Sequence, residues 1–117
     1  LYITMKEHVK IFKALADKNR LRILKLLEHK DYCVCELSFI IGIKQSSISR
    51  HLNKLKGAGL ITRYQESFWT NYRLNKTGGN AVRILLGNIS AWMNEDKTVL
   101  ADIAKAQRAD RSKICCN

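Results

Sequence analysis

Met5, Val9, Phe12 and Leu15 recur at steps of three and four residues, so the chain opens on an amphipathic helix. Ala16-Asp17-Lys18-Asn19 interrupts that pattern, and Asp17 or Asn19 offers a side-chain oxygen to cap the next helix. Leu21, Ile23, Leu24 and Leu27 carry a second stripe to about Glu28. After Lys30-Asp31-Tyr32 the pattern predicts a third, short helix from Cys33 to Ile41. Gly42 ends it, because glycine accepts the left-handed backbone that a helix terminus often needs. Ile43 and Lys44 complete a tight turn. A fourth helix then runs from Gln45 or Ser46 to about Lys56, burying Ile48, Leu52 and Leu55, until Gly57-Ala58-Gly59 stops it. Leu60 to Gln65 and Asn71 to Leu74 read as paired strands, with Glu66 to Thr70 turning between them. Beyond Thr77-Gly78-Gly79 the spacing predicts one long helix. Val82, Leu85, Leu86, Ile89, Trp92 and Met93 lie on a broad face, followed by Leu100 and Ile103, with Gly87 as the place for a kink. The stretch from Arg108 to Asn117 reads as a loosely held tail.

The expected architecture is therefore mainly α: a winged helix-turn-helix whose wing is a two-stranded β-hairpin. It fills a single domain over residues 1–117, with the first two helices in 1–30, the helix-turn-helix in 33–56, the wing in 60–75, a dimerisation helix in 79–107 and a cysteine-bearing tail in 108–117. A domain this small buries only a modest share of its surface alone. The long terminal stripe needs a surface to cover it, and a second copy of the chain is the economical one.

Charge sharpens the picture. Lys and Arg number 21 against 10 Asp and Glu, a formal net charge of +11. Such an excess favours a polyanion, since each phosphate contacted releases condensed counterions. In a helix-turn-helix the second helix enters the major groove with its early residues facing base edges. Here those residues are Gln45, Ser46, Ser47, Ser49 and Arg50, small polar groups and one fork of donors. The helix N-terminus itself favours phosphate. Lys44, Lys54 and Lys56 add backbone contacts, and Arg63 and Arg73 of the hairpin reach adjacent phosphates. His51, beside Arg50, reads as a phosphate neighbour or a packing residue rather than a metal ligand. The competing reading is an ordinary solvated face with serines that merely cap the helix.

No apolar run approaches a membrane span, and the start of the chain lacks a secretory pattern. The expectation is a cytoplasmic chain without a membrane partner, whose four cysteines serve metal or redox chemistry rather than structural disulfides. Cys33 and Cys35 flank one residue. In a regular helix they would point about 200° apart, so one ion could hold both only if the start of the third helix opened. Ion capture would then be incompatible with an intact third helix, the support of the groove-reading helix. The helix dipole would favour a thiolate at Cys33. Cys115 and Cys116 can reach inward from the tail. Cys33, Cys35 and one of the tail pair make a three-sulfur pyramid suited to As(III) or Sb(III), whereas four sulfurs suit cadmium, lead or zinc.

Four segments carry a family resemblance: Ala14-Leu15-Ala16-Asp17-Lys18-Asn19-Arg20-Leu21-Arg22-Ile23-Leu24, Cys33-Val34-Cys35-Glu36-Leu37, Ser46-Ser47-Ile48-Ser49-Arg50-His51-Leu52 and Trp69-Thr70-Asn71-Tyr72-Arg73-Leu74. In that order, from about Val9 to Asn75, they resemble the ArsR–SmtB family of metal-responsive repressors, and within it the arsenic repressors. The resemblance implies a homodimer built from the first and last helices. It implies a metal-free form on a palindromic double-stranded operator, released when As(III) binds. Two departures stand out. A third cysteine common in the helix after the Cys-x-Cys pair is Ser38 here, and the chain ends instead in Cys115-Cys116. The extra N-terminal cysteines of the cadmium and lead sensors are absent, as is any histidine after His51 for a zinc site on the last helix. Rival functions are a thiol-redox repressor using Cys33–Cys116-type bridges, a small thiol enzyme and an architectural basic protein. No Cys-x-x-Cys motif and no phosphate-cradling loop beside a cysteine supports an enzyme.

Overall fold

The computed structural model describes residues 3–115. The elements are α1 (Met5–Leu15), α2 (Lys18–Leu27), β1 (Tyr32–Cys33), α3 (Val34–Ile41), α4 (Gln45–Gly57), β2 (Ile61–Glu66), β3 (Trp69–Leu74), α5 (Asn80–Ala91), α6 (Lys97–Ala106) and α7 (Arg111–Ile114). Ile23, Leu24 and Leu26 of α2 close on Leu37 and Ile40 of α3, on Ile48, Leu52 and Leu55 of α4, and on Leu60 and Ile61 at the start of the hairpin. The spacing that predicted the helix-turn-helix thus sets its core, and Gly42 turns the chain with a left-handed φ of 83°.

Asp17, not Asn19, caps α2: its carboxylate accepts the N–H of Asn19 at 2.9 Å and of Arg20 at 3.1 Å. Burial pulls its pKa up, but those N–H groups and the charges of His51 and Arg20 outweigh burial and hold it below its ordinary value of 3.8. Asp17→Ala is expected to lower stability by about 1 kcal/mol. The cap is fully effective above the ordinary carboxylate pKa and is lost as pH falls through the lower native value. Urea unfolding at neutral and strongly acid pH checks this: the difference between variant and wild type should shrink in acid.

Four expectations are corrected. The sheet has three strands, in order β1-β3-β2, because Tyr32 and Cys33 pair antiparallel with Tyr72 and Asn71. The hairpin is tighter than expected, with Glu66 opposite Trp69 and only Ser67 and Phe68 between them. The long terminal helix is two helices, and α5 runs through Gly87 without ending there. The break falls at Trp92 to Asp96, where Met93 takes a φ of 64° and Asp96 caps α6. Buried Lys25 fixes it from α2 by donating to the Ile89 carbonyl and the Asn94 side chain, both at 2.9 Å. The tail is not loose up to Cys115: α7 docks on α3. Met5, Val9 and Phe12 of the first stripe lie exposed, while Ile11 and Ala14 face the core.

Candidate functional site

The short β1 strand decides the geometry of the thiol cluster. Cys33 is the extended residue before α3 (φ −93°, ψ 172°), not its first helical residue. Its N–H donates to the Glu36 carboxylate at 3.0 Å, as in a capping box. Because Cys33 lies outside the helix, the opposed directions expected of two helical residues do not arise. Its sulfur sits 3.5 Å from that of Cys35 in the intact first turn. The steric conflict read from the sequence is therefore absent: both thiols meet without opening α3.

Cys115, at the end of α7, completes the cluster. Its sulfur lies 3.7 Å from Cys33 Sγ, and it is joined to Cys35 as a disulfide with the Cα atoms 5.7 Å apart. The three sulfurs all lie within 4.8 Å of one another. The bridge corrects the expectation of reduced cysteines, and among the described residues Cys33 is the free, buried thiol. Cys116 lies outside the described residues. Burial pushes the Cys33 thiol above its ordinary range, and the Glu36 carboxylate adds to that rise. The Glu36 N–H and the Arg111 guanidinium oppose it only in part. The dipole-favoured thiolate expected there is thus not realised in the free protein, although a bound soft ion deprotonates a coordinating thiol outright. Ser38 is no ligand; its hydroxyl donates to the Ile43 carbonyl at 2.6 Å and braces the turn after α3.

Sequence reasoning missed the polar node beneath these sulfurs. Arg111 donates to the buried carboxylate of Glu36 and to the buried amide oxygen of Asn71. Glu36, three residues after Cys33, carried a capping signal in the sequence. Arg111 carried none, because its partners come from distant segments.

On α4, Gln45, Ser46, Arg50 and Lys54 are exposed, with Ser47 and Ser49 half-buried beside them. Arg50 donates to the Ser47 hydroxyl at 3.2 Å. His51 turns inward, its Nδ1 3.3 Å from Arg20 Nη1 and 3.9 Å from the Asp17 carboxylate, so it ties α4 to the start of α2. On the hairpin, Arg63 is exposed and Arg73 lies over the Tyr64 ring at 4.4 Å. A cleft of about 860 Å³ between α1 and α4 is lined by Lys6, Lys10, Lys13, Arg20, Arg50 and Lys54, which extends the positive surface from the exposed face of α4.

A helix-turn-helix, a hairpin wing and a cysteine cluster on the supporting helix define a winged-helix regulator. Residues 17–63 match the family described as bacterial regulatory protein, arsR family. The chain is 32% identical over 111 residues to the arsenic resistance transcriptional regulator ArsR1 of Pseudomonas putida, covering 91% of this chain and 84% of that one. It is 34% identical over 113 residues to the arsenical resistance operon repressor of Escherichia coli, covering 92% and 94%. The solution structure of the homodimeric winged helix-turn-helix DNA-binding domain of Mb0332 from Mycobacterium bovis matches with a TM-score of 0.65 at 27% identity, over 78% of this chain and 82% of that one. The chain belongs to the arsR family: it is a DNA-binding transcriptional regulator and not an enzyme. No helix among the described residues is long and apolar enough to cross a membrane.

Proposed function

We propose that this regulator is a homodimeric repressor that leaves its operator when As(III), or Sb(III), is captured by Cys33, Cys35 and Cys115. The observation that carries the reading is the meeting of three sulfurs, two at the start of α3 and one at the end of α7, within 4.8 Å. Two relatives named for arsenic resistance support it. Soft thiolates select such an ion over harder ones. A cytoplasmic thiol reductant first gives the Cys35–Cys115 bridge two electrons and two protons. Arsenous acid then exchanges its three hydroxyls for three sulfurs, and the thiol protons leave with them as three waters. The ion thereby locks the first turn of α3 to the tail, and α3 packs directly against α4. A coupling of about 1–3 kcal/mol between the two sites is sufficient for a switch.

Gln45, Ser46, Ser47, Ser49 and Arg50 meet base edges and phosphates in this reading, and Lys54, Arg63 and Arg73 grip the backbone. His51 serves by holding α4 rather than by reaching DNA. The dimer buries the exposed apolar residues Met5, Val9 and Phe12 of α1 together with Ile84 of α5 and Trp92 just after it. The test uses phosphine-reduced protein on a palindromic operator. Arsenite is expected to release the DNA at one ion per subunit, with three arsenic–sulfur bonds by X-ray absorption. Retention of the operator, or oxygen ligands on arsenic, would end the proposal. The Cys35–Cys115 bridge favours a second reading, in which a peroxide takes two electrons from these thiols, forming the disulfide and two waters, and that bond alone releases the operator. Release by peroxide without metalloid distinguishes it.

A further inference from the structure

α7 is a single turn with no buried residue, yet it delivers one of the three sulfurs. A turn so short has little packing of its own to fix where it sits. The Cys115 N–H donates to the Arg111 carbonyl at 2.8 Å, so the two residues stand one turn apart on the same face. Whatever fixes the Arg111 side chain therefore aims Cys115.

The Arg111 guanidinium is held from three sides. Nη2 donates to Glu36 Oε1 at 3.0 Å and to Asn71 Oδ1 at 2.7 Å, Nη1 lies 3.5 Å from Glu66 Oε1, and the plane stacks 4.7 Å over the Trp69 ring. The Glu36 oxygen that receives Arg111 also receives the Cys33 N–H, and Asn71 is the strand partner of Cys33. One node thus fixes the backbone of the first cysteine and the side chain that aims the third. Glu36 and Asn71 are each 1% exposed, so this is a built site and not a surface pair. Apart from the sulfur contacts and the bond of Ser112 to its own N-cap Asp110, Arg111 makes every side-chain hydrogen bond from α7 to the rest of the described residues.

We propose that Arg111 is the positioning residue of the thiol cluster: clasped by Glu36 of α3 and Asn71 of β3 and stacked on Trp69, it holds α7 where Cys115 meets Cys33 and Cys35 once the disulfide is reduced. This rests on the three-sulfur reading above. The planar fork suits the task because it satisfies a carboxylate and an amide together while stacking. Lysine supplies only a point charge. β3 lies between β1 and β2, so the same node places the cluster directly against the wing.

The test compares phosphine-reduced wild type, Arg111→Gln, Arg111→Lys, Cys115→Ser and the Arg111→Gln/Cys115→Ser double variant. Arsenite affinity and arsenic–sulfur coordination number are measured for each. Arg111→Gln is expected to bind arsenite about 10–100-fold more weakly, the usual loss when a group that orients a ligand is removed. Its coordination number should fall from three to two, as in Cys115→Ser. The double variant should be no weaker than Cys115→Ser alone, because Arg111 acts through that sulfur; a general loss of structure would instead add. Arg111→Lys keeps a charge beside buried Glu36, so it preserves the fold should the Gln variant fail, and it is expected to fall between. Three sulfurs at wild-type affinity in either variant, or additive losses in the double, would overturn the role of Arg111 alone. Fewer than three sulfurs in the wild type would overturn it together with the reading beneath it.

Discussion

Cys33→Ser and Cys35→Ser should each leave the regulator on its operator at arsenite concentrations that strip the wild type from it. In the wild type, saturating arsenite is expected to weaken operator binding about 5–150-fold, the span of a typical coupling between two sites. In either variant that factor should collapse towards one, since a neutral hydroxyl is a hard, poor ligand for a thiol-seeking ion. The fold should survive the change. Cys33 is a small residue at 3% exposure in an extended cap, and the backbone bond to Glu36 does not involve its sulfur. Cys35 is only half-buried. The same variants separate metalloid sensing from redox sensing. Cys33 takes no part in the disulfide, so Cys33→Ser keeps any peroxide response while losing the arsenite one. Cys35→Ser loses both, because Cys35 belongs to both the bridge and the three-sulfur cluster. Gel shifts of reduced protein, titrated with arsenite and then with peroxide, read all four outcomes. A Cys33→Ser variant that releases DNA with arsenite like the wild type removes the site.

The helix-turn-helix was legible because its information is local. Gly42 marks a left-handed turn, and Ile48, Leu52 and Leu55 recur on one face of the helix that follows. The arrangement of the cysteines was not legible, for a physical reason. Tyr32 and Cys33 form a strand only because β3, far along the chain, offers them a partner. A pair of residues carries no periodicity of its own. That unseen pairing moves Cys33 from helix to extended cap and turns a presumed obstacle into a preformed pair of sulfurs. The division between α5 and α6 was hidden by an apolar pattern that continues across it, although Asp96 was an available cap signal. The tail looked loose because its order comes from one guanidinium and three distant partners rather than from an apolar stripe. The stripe of α1 was legible, but its exposure was not, because Met5, Val9 and Phe12 face away from this chain's own core.

Arg22→Ala should destabilise the domain by about 2–4 kcal/mol, somewhat less than stranding one member of a fully buried ion pair, because the Arg22 side chain is partly exposed. Arg22 of α2 grips Asp102 of α6 through two parallel bonds, Nε to Oδ2 and Nη2 to Oδ1, each 2.8 Å. The hydrogen bonding to Asp102 outweighs the partial burial of Arg22 and holds its guanidinium above its ordinary pKa, so the arginine stays charged. Asp102 is 4% exposed, and alanine at position 22 would strand its carboxylate between α2 and α6. Against a total stability of about 5–15 kcal/mol such a loss is large. Replacing both members by apolar residues, Arg22→Met with Asp102→Leu, removes both charges and is expected to recover most of it. The remaining Arg22 bonds, to Asn19 Oδ1 at 3.2 Å and the Ile41 carbonyl at 3.4 Å, go to neutral acceptors and account for a smaller residual loss. Urea unfolding of wild type, both single variants and the double closes the cycle. Additive losses would show that α6 is held by apolar packing alone. A double variant that is stable yet binds operator more weakly would show that the pair sets the direction of α6, whose Leu100 is half-exposed.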